Sequence, residues 1–332
     1  MGGVRPCADR KIALRVPRIR RKKRMSVVDI WNRHDTLSFE VFPPKTDVGM
    51  ADLCGRGGVL EQLYPLLPDN ISCTYSVGGT DAGKNLEVLD KVVSDGRTAA
   101  MTHFTCAGNT SQSAAAQLRT CLERGIDRVL ALRGDLPAGS IGTGSDLRCA
   151  GDLVTLIRQE FGDRFTIAVA GAPEGHPGCR SLEADIDALK RKQDSGADYI
   201  ITQLCWDMDT FRYWLDAIRA AGIRLPVDVT VMPILDQAET IHTLSQNGSV
   251  MPRPLCELIS KNWILPNPFV KDSFDADAER KRADFRKAGL EYTVNQIHEY
   301  RRCGVSGIHL LTRNRFEDAA LIVKESGIRN VP

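Results

Sequence analysis

One acidic residue, Glu40, lies in an otherwise apolar run near the end of a predicted strand, where its carboxyl could transfer protons. The run Leu37–Phe42 is followed directly by Pro43 and Pro44. Proline cannot donate to a strand ladder, so the strand is predicted to end just past Glu40. An acid in such a run is costly unless something pairs or uses it. Burial is expected to raise the pKa of this carboxyl, which would suit a general acid.

Seven further short runs rich in Val, Ile and Thr alternate with helix-like stretches, and each is too short for an independent helix. Their near-continuous apolar character indicates burial on both faces, as in a parallel sheet. The runs are Ile71–Ser76, Ala100–Cys106, Arg128–Arg133, Thr166–Ala170, Tyr199–Cys205, Val227–Pro233 and Gly307–Thr312. Eight strands alternating with helices predict a single (β/α)8 barrel with its active site at the C-terminal strand ends. The alternative is an open doubly wound sheet, which the lack of a G-x-G-x-x-G after the first strand disfavours.

The stretches between these runs carry helix signals. Phe211 and Ile218 lie seven residues apart, with Asp209 as the predicted N-cap and Gly222 just past the predicted end. The main irregularity is residues 246–290, between the seventh and eighth strands, which are polar and contain four prolines. We expect this insertion to form extra helices or a mobile lid.

The charge of the chain is strongly uneven. The net charge of the 332 residues is +2, but residues 1–24 hold ten Lys and Arg against one acid, which leaves −7 for the rest. An acidic body argues against nucleic acid as the main partner. The basic segment has no apolar core of a secretory signal, although such runs can bind nucleic acid or anionic membranes. We predict a disordered extension over residues 1–24 and one barrel domain over residues 25–332.

Cysteine and histidine positions exclude several classes of site. The ten cysteines include no C-x-x-C pair, and the six histidines have no ligand spacing, so neither a disulfide framework nor a metal site is expected. Scattered cysteines in apolar runs are typical of the reducing cytoplasm. No stretch approaches the roughly 20 apolar residues of a membrane span, so we expect no membrane partner.

Eight short motifs, in chain order, resemble those of the methylenetetrahydrofolate reductase family. Each motif alone is weak, but together they are specific and extend over about residues 37–330. The resemblance implies a barrel that binds FAD non-covalently and uses NADH or NADPH to reduce 5,10-methylenetetrahydrofolate to 5-methyltetrahydrofolate. The motifs are S-F-E-V-F-P-P-K (38–45), T-Y (74–75), H-F-T-C (103–106), A-L-R-G-D-L-P (131–137), P-E-G-H-P (173–177), L-K-R-K (189–192), I-T-Q (201–203) and T-R-N-R (312–315).

By this resemblance, Glu40 is the general acid that helps to open the methylene bridge, and Asp135 tunes hydride transfer beside the flavin and the pterin. Gln203 and Arg315 are implied to contact the folate. The residues implied to bind FAD are Thr74, His103, Arg133, Gly134, Asp135, Ala150, His176, Asp185, Arg191 and Lys192. Within that set, the two basic residues of L-K-R-K would hold the pyrophosphate by charge.

From the residues alone, structural alternatives stay open. Glu40 could be a paired structural carboxyl, Asp135 a turn-forming residue, and Arg191 and Lys192 the exposed basic end of a helix.

Two departures from the family pattern leave other functions open. Ala172 stands where the family usually has an aromatic residue, and Arg313 replaces an apolar residue near the nicotinamide site. One alternative is the same barrel receiving electrons from a partner protein. Another is a non-catalytic subunit that binds flavin or folate. A homo-oligomer is also expected.

Overall fold

Eight parallel strands form a closed barrel in which each strand pairs with its neighbours in chain order and the last pairs with the first. The computed structural model describes residues 30, 33–74, 82–135, 145–263 and 276–330. The predicted single (β/α)8 barrel is confirmed, and the predicted extension 1–24 lies outside the described residues. The strands are β1 (Thr36–Val41), β2 (Asn70–Cys73), β3 (Ala99–Thr105), β4 (Arg128–Leu132), β5 (Thr166–Gly171), β6 (Tyr199–Thr202), β7 (Val227–Val231) and β8 (Gly307–Leu311).

Helices surround the barrel and connect its strands. None of those in the described ranges combines the length and the apolar character that crossing a membrane requires. The helices are α1 (Asp47–Cys54), α2 (Val59–Leu63), α3 (Ala82–Asp95), α4 (Ser111–Arg124), α5 (Ala150–Phe161), α6 (Leu182–Asp194), α7 (Met208–Ala220), α8 (Gln237–Asn247), α9 (Arg253–Lys261), α10 (Ala276–Arg302) and α11 (Phe316–Ser326), with short 3-10 turns at Tyr64–Leu66 and Gly162–Arg164.

Strand β1 shows how the sequence separates the two sides of the barrel wall. Successive side chains in a strand point to opposite faces. Leu37, Phe39 and Val41 belong to the main apolar core between strands and helices. Ser38 and Glu40 share the other face and bond to side chains of neighbouring barrel segments. The inner face of β1 is therefore polar, and Glu40 lies at its C-terminal end.

The helix boundaries follow local capping chemistry. Helix α7 begins after Asp207, whose carboxylate accepts hydrogen bonds from the backbone N–H groups of Asp209 and Thr210. The prediction that Asp209 caps this helix is therefore wrong, and Asp209 lies in the first turn. The far end agrees better with the prediction, because Gly222 follows Ala220 by two residues and has a left-handed φ of 77°.

Helices α8 and α9 are additional to the regular alternation and lie between β7 and α10. They share a second apolar core with α10, built from residues such as Leu244, Leu255 and Phe285. Within the predicted insertion, residues 246–290, lie α9 and the start of α10, so the prediction of extra helices there is confirmed for the described residues, while 264–275 lie outside them. Helix α8 contributes side chains to the mouth of the barrel.

Candidate active site

The Glu40 carboxylate is held between three side chains from other parts of the barrel. Thr74, just after β2, donates its hydroxyl to Oε1 at 2.7 Å. On β8, Nε2 of His309 lies 3.0 Å from Oε2. On β3, Nε2 of His103 lies 3.7 Å from the same oxygen. Only 12% of the Glu40 side chain is exposed, so both oxygens interact mainly with protein groups.

These neighbours lower the pKa of Glu40. Burial alone raises it, but the charge of His103 and the hydrogen bonds and charge from His309 and Thr74 outweigh burial and bring it from 4.5 to about 2. The expectation of a raised pKa is therefore wrong, because the sequence indicated burial but not the partners. Glu40 is an anion at neutral pH, so any proton that it delivers must first reach it from a neighbour.

His309 is the histidine within hydrogen-bonding distance of that anion. Its Nε2 faces Glu40, and its Nδ1 lies 2.7 Å from the Ser38 hydroxyl. A hydrogen on Nε2 can be donated to the carboxylate, and Nδ1 can accept from the Ser38 hydroxyl or, when it also carries a hydrogen, donate to it. Sequence reasoning missed both Ser38 and His309. The available signal was that Ser38 precedes Glu40 by two residues and therefore shares its face of β1.

His103 completes the group with a different character. It is buried, and its Nε2 has no hydrogen-bond partner among the described residues. Burial lowers the pKa of its ring, although the Glu40 charge opposes that change. His103 can therefore offer this ring nitrogen to a bound molecule.

A cavity of about 340 Å³ opens at these residues. Glu40, His103 and His309 all line it, and Gln203 contributes an exposed amide after β6. Polar groups that converge beside apolar side chains suit a pocket for a small organic molecule. The apolar lining is Phe42, Leu130, Leu132, Ala170, Ile201, Leu204, Met232 and Leu311, and α8 adds His242, Thr243, Gln246 and Asn247.

Arg313 links the end of β8 to α8 across one side of this cavity. Its Nε lies 2.8 Å from Oε1 of Glu239, and its Nη2 donates to the Thr243 hydroxyl at 3.0 Å. Arg315 donates to the other oxygen of Glu239 at 3.0 Å. Arg315 is exposed and is not part of the cavity lining, so of the two predicted folate contacts only Gln203 lines this cavity.

A second group of predicted residues lies beside β4 and β5, outside the cavity lining. Asp185 is buried and accepts the backbone N–H of His176 at 3.2 Å. Lys192 donates to the Ala170 carbonyl at 2.9 Å. Burial lowers the pKa of Lys192 while the Asp185 charge opposes that change. Lys192 therefore does not belong to the exposed basic end of α6, which was one of the alternatives.

The remaining predicted residues take varied positions near this second group. Burial and the nearby Arg133 lower the pKa of His176. Ala150 is buried at the first turn of α5. Arg191 and Asp135 are exposed. Among the residues that the structure describes, no three His, Cys, Asp or Glu side chains come together as a metal site would require.

Gly134 follows β4 in a conformation that only glycine adopts easily. Its φ is 83°, and an added Cβ would lie 2.9 Å from the Cβ of Thr105 and 3.0 Å from that of Ala107. We therefore expect Gly134→Ala to lower the free energy of unfolding by about 2–3 kcal/mol, from the left-handed backbone and the overpacking together. Denaturant titration measures this change.

Gly96→Ala is the matched control, because Gly96 has a φ of 64° and nothing lies near its missing Cβ. Its free energy of unfolding should fall by only about 1 kcal/mol, from backbone strain alone. Equal losses in the two variants would show that close packing at Gly134 contributes nothing.

Together, the fold and the site define the class of protein. It is a parallel (β/α)8 barrel in which a buried acid, paired with histidine, lines a cavity at the mouth of the barrel. A family model described as "Methylenetetrahydrofolate reductase" matches residues 26–327. The chain belongs to the methylenetetrahydrofolate reductase family.

Individual relatives agree with this membership. Methylenetetrahydrofolate reductase 1 of Schizosaccharomyces pombe is 31% identical over 300 residues, which cover 90% of this chain and 47% of that protein. The chain thus spans about half the length of this relative. The 5,10-methylenetetrahydrofolate reductase of Escherichia coli is 29% identical over 293 residues, covering 88% of this chain and 91% of that protein.

One solved structure is similar in fold at low sequence identity. It is an uncharacterized protein from Clostridium thermocellum that binds two copies of 5-methyl-5,6,7,8-tetrahydrofolic acid. The match has a TM-score of 0.54 and 14% identity, and it covers 91% of this chain and 98% of that one. At this identity the likeness is one of fold alone.

Proposed function

We propose that the chain reduces 5,10-methylenetetrahydrofolate to 5-methyltetrahydrofolate, with FAD as its cofactor and NADH or NADPH as the electron donor. The observation that carries this proposal is Glu40, an anionic carboxylate bonded to Thr74 and His309 where it lines the cavity at the mouth of the barrel. Membership of the family supports methylenetetrahydrofolate as the substrate. The paired Glu40 carboxylate supports the proton transfer that reduction of this substrate needs.

The residues present fit a flavin. The buried Nε2 of His103 has no hydrogen-bond partner within the described part of the chain, and His103 lines the cavity, as expected for an atom that bonds a ligand. The half-buried cation Lys192 and the neighbouring Arg133 suit phosphate oxygens. When bound, FAD would supply hydride transfer from the nicotinamide to the folate. The proposed FAD-binding residues are Thr74, His103, Arg133, Gly134, Asp135, Ala150, His176, Asp185, Arg191 and Lys192.

The chain's own contribution to the chemistry is a proton. Opening the methylene bridge of the folate requires a proton on the nitrogen that leaves the methylene carbon. Because Glu40 has a pKa of about 2, it cannot store that proton at neutral pH. When His309 carries a hydrogen on each ring nitrogen, it can donate the one on Nε2 to the carboxylate 3.0 Å away and become a neutral imidazole, and Glu40 then passes the proton to the nitrogen. Ser38 holds the His309 ring in the orientation that this transfer needs.

Three further residues are proposed to orient the ligands. The Gln203 amide lines the cavity and offers both a donor and an acceptor to the edge of a pterin. Asp135, exposed just after β4, would lie beside flavin and folate. Arg315 would face the folate from the rim, where Glu239 holds it at 3.0 Å.

Anaerobic stopped-flow absorbance tests this function. The purified protein should be yellow, either nicotinamide should bleach the flavin, and methylenetetrahydrofolate should restore its colour with formation of methyltetrahydrofolate. A flavin that methylenetetrahydrofolate cannot reoxidise would refute the proposed reaction and favour a binding subunit. A flavin that is reoxidised by the folate but bleached by neither nicotinamide would instead favour a partner protein as electron donor.

The proposed role of Lys192 gives a prediction for cofactor binding. Lys192→Met removes the cation next to Asp185 and should weaken FAD binding about 10–100-fold, as expected for loss of one charge-assisted contact. The ratio of flavin absorbance to protein after dialysis measures this change. Lys190→Met on the same helix is the control, because Lys190 pairs with Asp194 instead. Equal flavin retention in both variants would argue against a phosphate contact at Lys192.

A further inference from the structure

The pairing of β1 with β8 is continued past its last regular residue by a turn at 312–314. The regular register ends with Glu40 opposite Leu311. Beyond it, the carbonyl of Glu40 accepts two hydrogen bonds from Thr312, one from the backbone N–H at 3.1 Å and one from the hydroxyl at 2.8 Å. Thr312 therefore fixes the backbone of the acid itself.

The next bonds come from a side chain. Asn314 accepts the backbone N–H of Phe42 through Oδ1 at 2.9 Å and donates Nδ2 to the Phe42 carbonyl, also at 2.9 Å. A neighbouring strand would offer the same donor and acceptor through its peptide groups. Since Pro43 follows and has no N–H, the regular ladder cannot extend further along β1. The Asn314 amide thus acts as one additional strand residue.

The backbone that presents this amide is unusual. Arg313 has a φ of 53° and Asn314 a φ of 56°, so two consecutive non-glycine residues adopt the left-handed conformation. Such residues persist only where their surroundings hold them, and they cluster at functional sites. The Thr312 hydroxyl accepts the N–H of Asn314 at 3.2 Å, and Glu239 and Thr243 hold the Arg313 side chain.

Asparagine meets both requirements of this position. Glycine would adopt the left-handed conformation but would lack the amide, and aspartate would lack the donor for the Phe42 carbonyl. Asparagine tolerates the conformation better than most residues and has both groups.

We infer that Asn314 is a positioning residue for Glu40. With Thr312, it fixes the backbone on both sides of Val41, and so sets the carboxylate 3.0 Å from His309 and 3.7 Å from His103. Only the stopped-flow test of folate turnover rests on the proposed function. The charge coupling between Glu40 and the two histidines is a property of the protein itself.

Histidine ring NMR on ¹⁵N-labelled protein tests this inference, with the two rings assigned from His103→Asn and His309→Asn variants. Asn314→Gly and Asn314→Asp should shift the pH titration of the His103 ring by about half a unit or more, because the Glu40 charge that acts on that ring moves. They should also change the ring ¹⁵N chemical shifts of His309, whose Nε2 lies 3.0 Å from Glu40. In stopped-flow, flavin reoxidation by methylenetetrahydrofolate should slow about tenfold with an altered pH profile. Reduction by NADH or NADPH should stay within twofold.

Leu67→Gly is the matched control, since Leu67 is also left-handed, with a φ of 57°, and is exposed before β2 at the opposite end of the barrel. It should leave the His103 titration and the His309 chemical shifts unchanged. Asn314 variants that unfold at lower temperature but keep wild-type titrations and pH profile would overturn the inference. If the wild type itself does not turn over folate, the proposed function fails, and the titrations still test the positioning.

Discussion

Glu40→Gln should abolish folate turnover while leaving flavin reduction intact. Glutamine keeps the size of the side chain and can still accept the Thr74 hydroxyl, but it cannot carry a proton from His309 to the substrate. Flavin reoxidation by methylenetetrahydrofolate should therefore slow by about 10³-fold, within the usual range for loss of a general acid. Reduction of the flavin by NADH or NADPH should change less than threefold, since that step needs no proton from Glu40. Single-turnover stopped-flow separates the two steps.

Glu123→Gln is the control, because Glu123 is exposed on α4 and lies outside both groups of site residues. It should match the wild type in both steps. A Glu40→Gln protein that reoxidises its flavin with folate at the normal rate would rule out proton delivery by this carboxyl. A protein that loses flavin reduction as well would show that Glu40 shapes the flavin site instead.

His309→Asn should give the second largest effect, with a distinctive pH dependence. In the wild type, Nε2 of His309 lies 3.0 Å from the Glu40 carboxylate and is the proposed source of its proton. Without the ring, the proton must come to Glu40 from solvent. The pKa of Glu40 then rises from about 2, because a hydrogen bond and a charge that lowered it are gone. Glu40 is therefore protonated more often as the pH falls.

The expected result is a folate step slowed about 100-fold at pH 7.5, with partial recovery as the pH falls toward 5. The rate should rise at lower pH because acidification returns the proton to Glu40. Rates of flavin reoxidation between pH 5 and 9 measure this profile. His34→Asn removes another histidine 3.0 Å from a carboxylate, Asp69, and should leave the profile unchanged. Uniform slowing of His309→Asn at all pH values would contradict the relay.

The arrangement of strands was predictable because it depends on local composition. Each β-run was apolar, short and followed by a helix signal, and each became a strand of the barrel. Their ends were less predictable, since apolar character also marks buried loops. The predicted sixth strand continued to Cys205, while β6 ends at Thr202. Leu204 and Cys205 are buried without being in the sheet.

The wrong N-cap prediction for α7 has a similar cause, because residue types alone do not fix where an element begins. Asp207 and Asp209 are chemically equivalent candidates two residues apart, and only the backbone geometry places the first of them outside the helix.

The site was predictable only in part, because its contacts cross the closure of the barrel. Glu40 was identifiable from its unusual place in an apolar run. Ser38 and His309 were not, since their contact joins residues 271 positions apart and depends on the β1–β8 register. Thr74 and His103 were predicted as flavin contacts, and the structure places both beside Glu40. Their roles toward the flavin stay predictions.

The bond between Glu40 and His309 also bears on how the protein is made. It joins residues 269 positions apart, one in the first strand and one in the last. Because synthesis proceeds from the N-terminus, a growing chain contains the acid long before it contains the imidazole. Barrel closure and formation of the proposed proton-transfer pair therefore both require the synthesis of β8. A ribosome-bound intermediate without β8 would contain Glu40 but not His309. It would therefore lack the proposed proton relay until β8 pairs with β1.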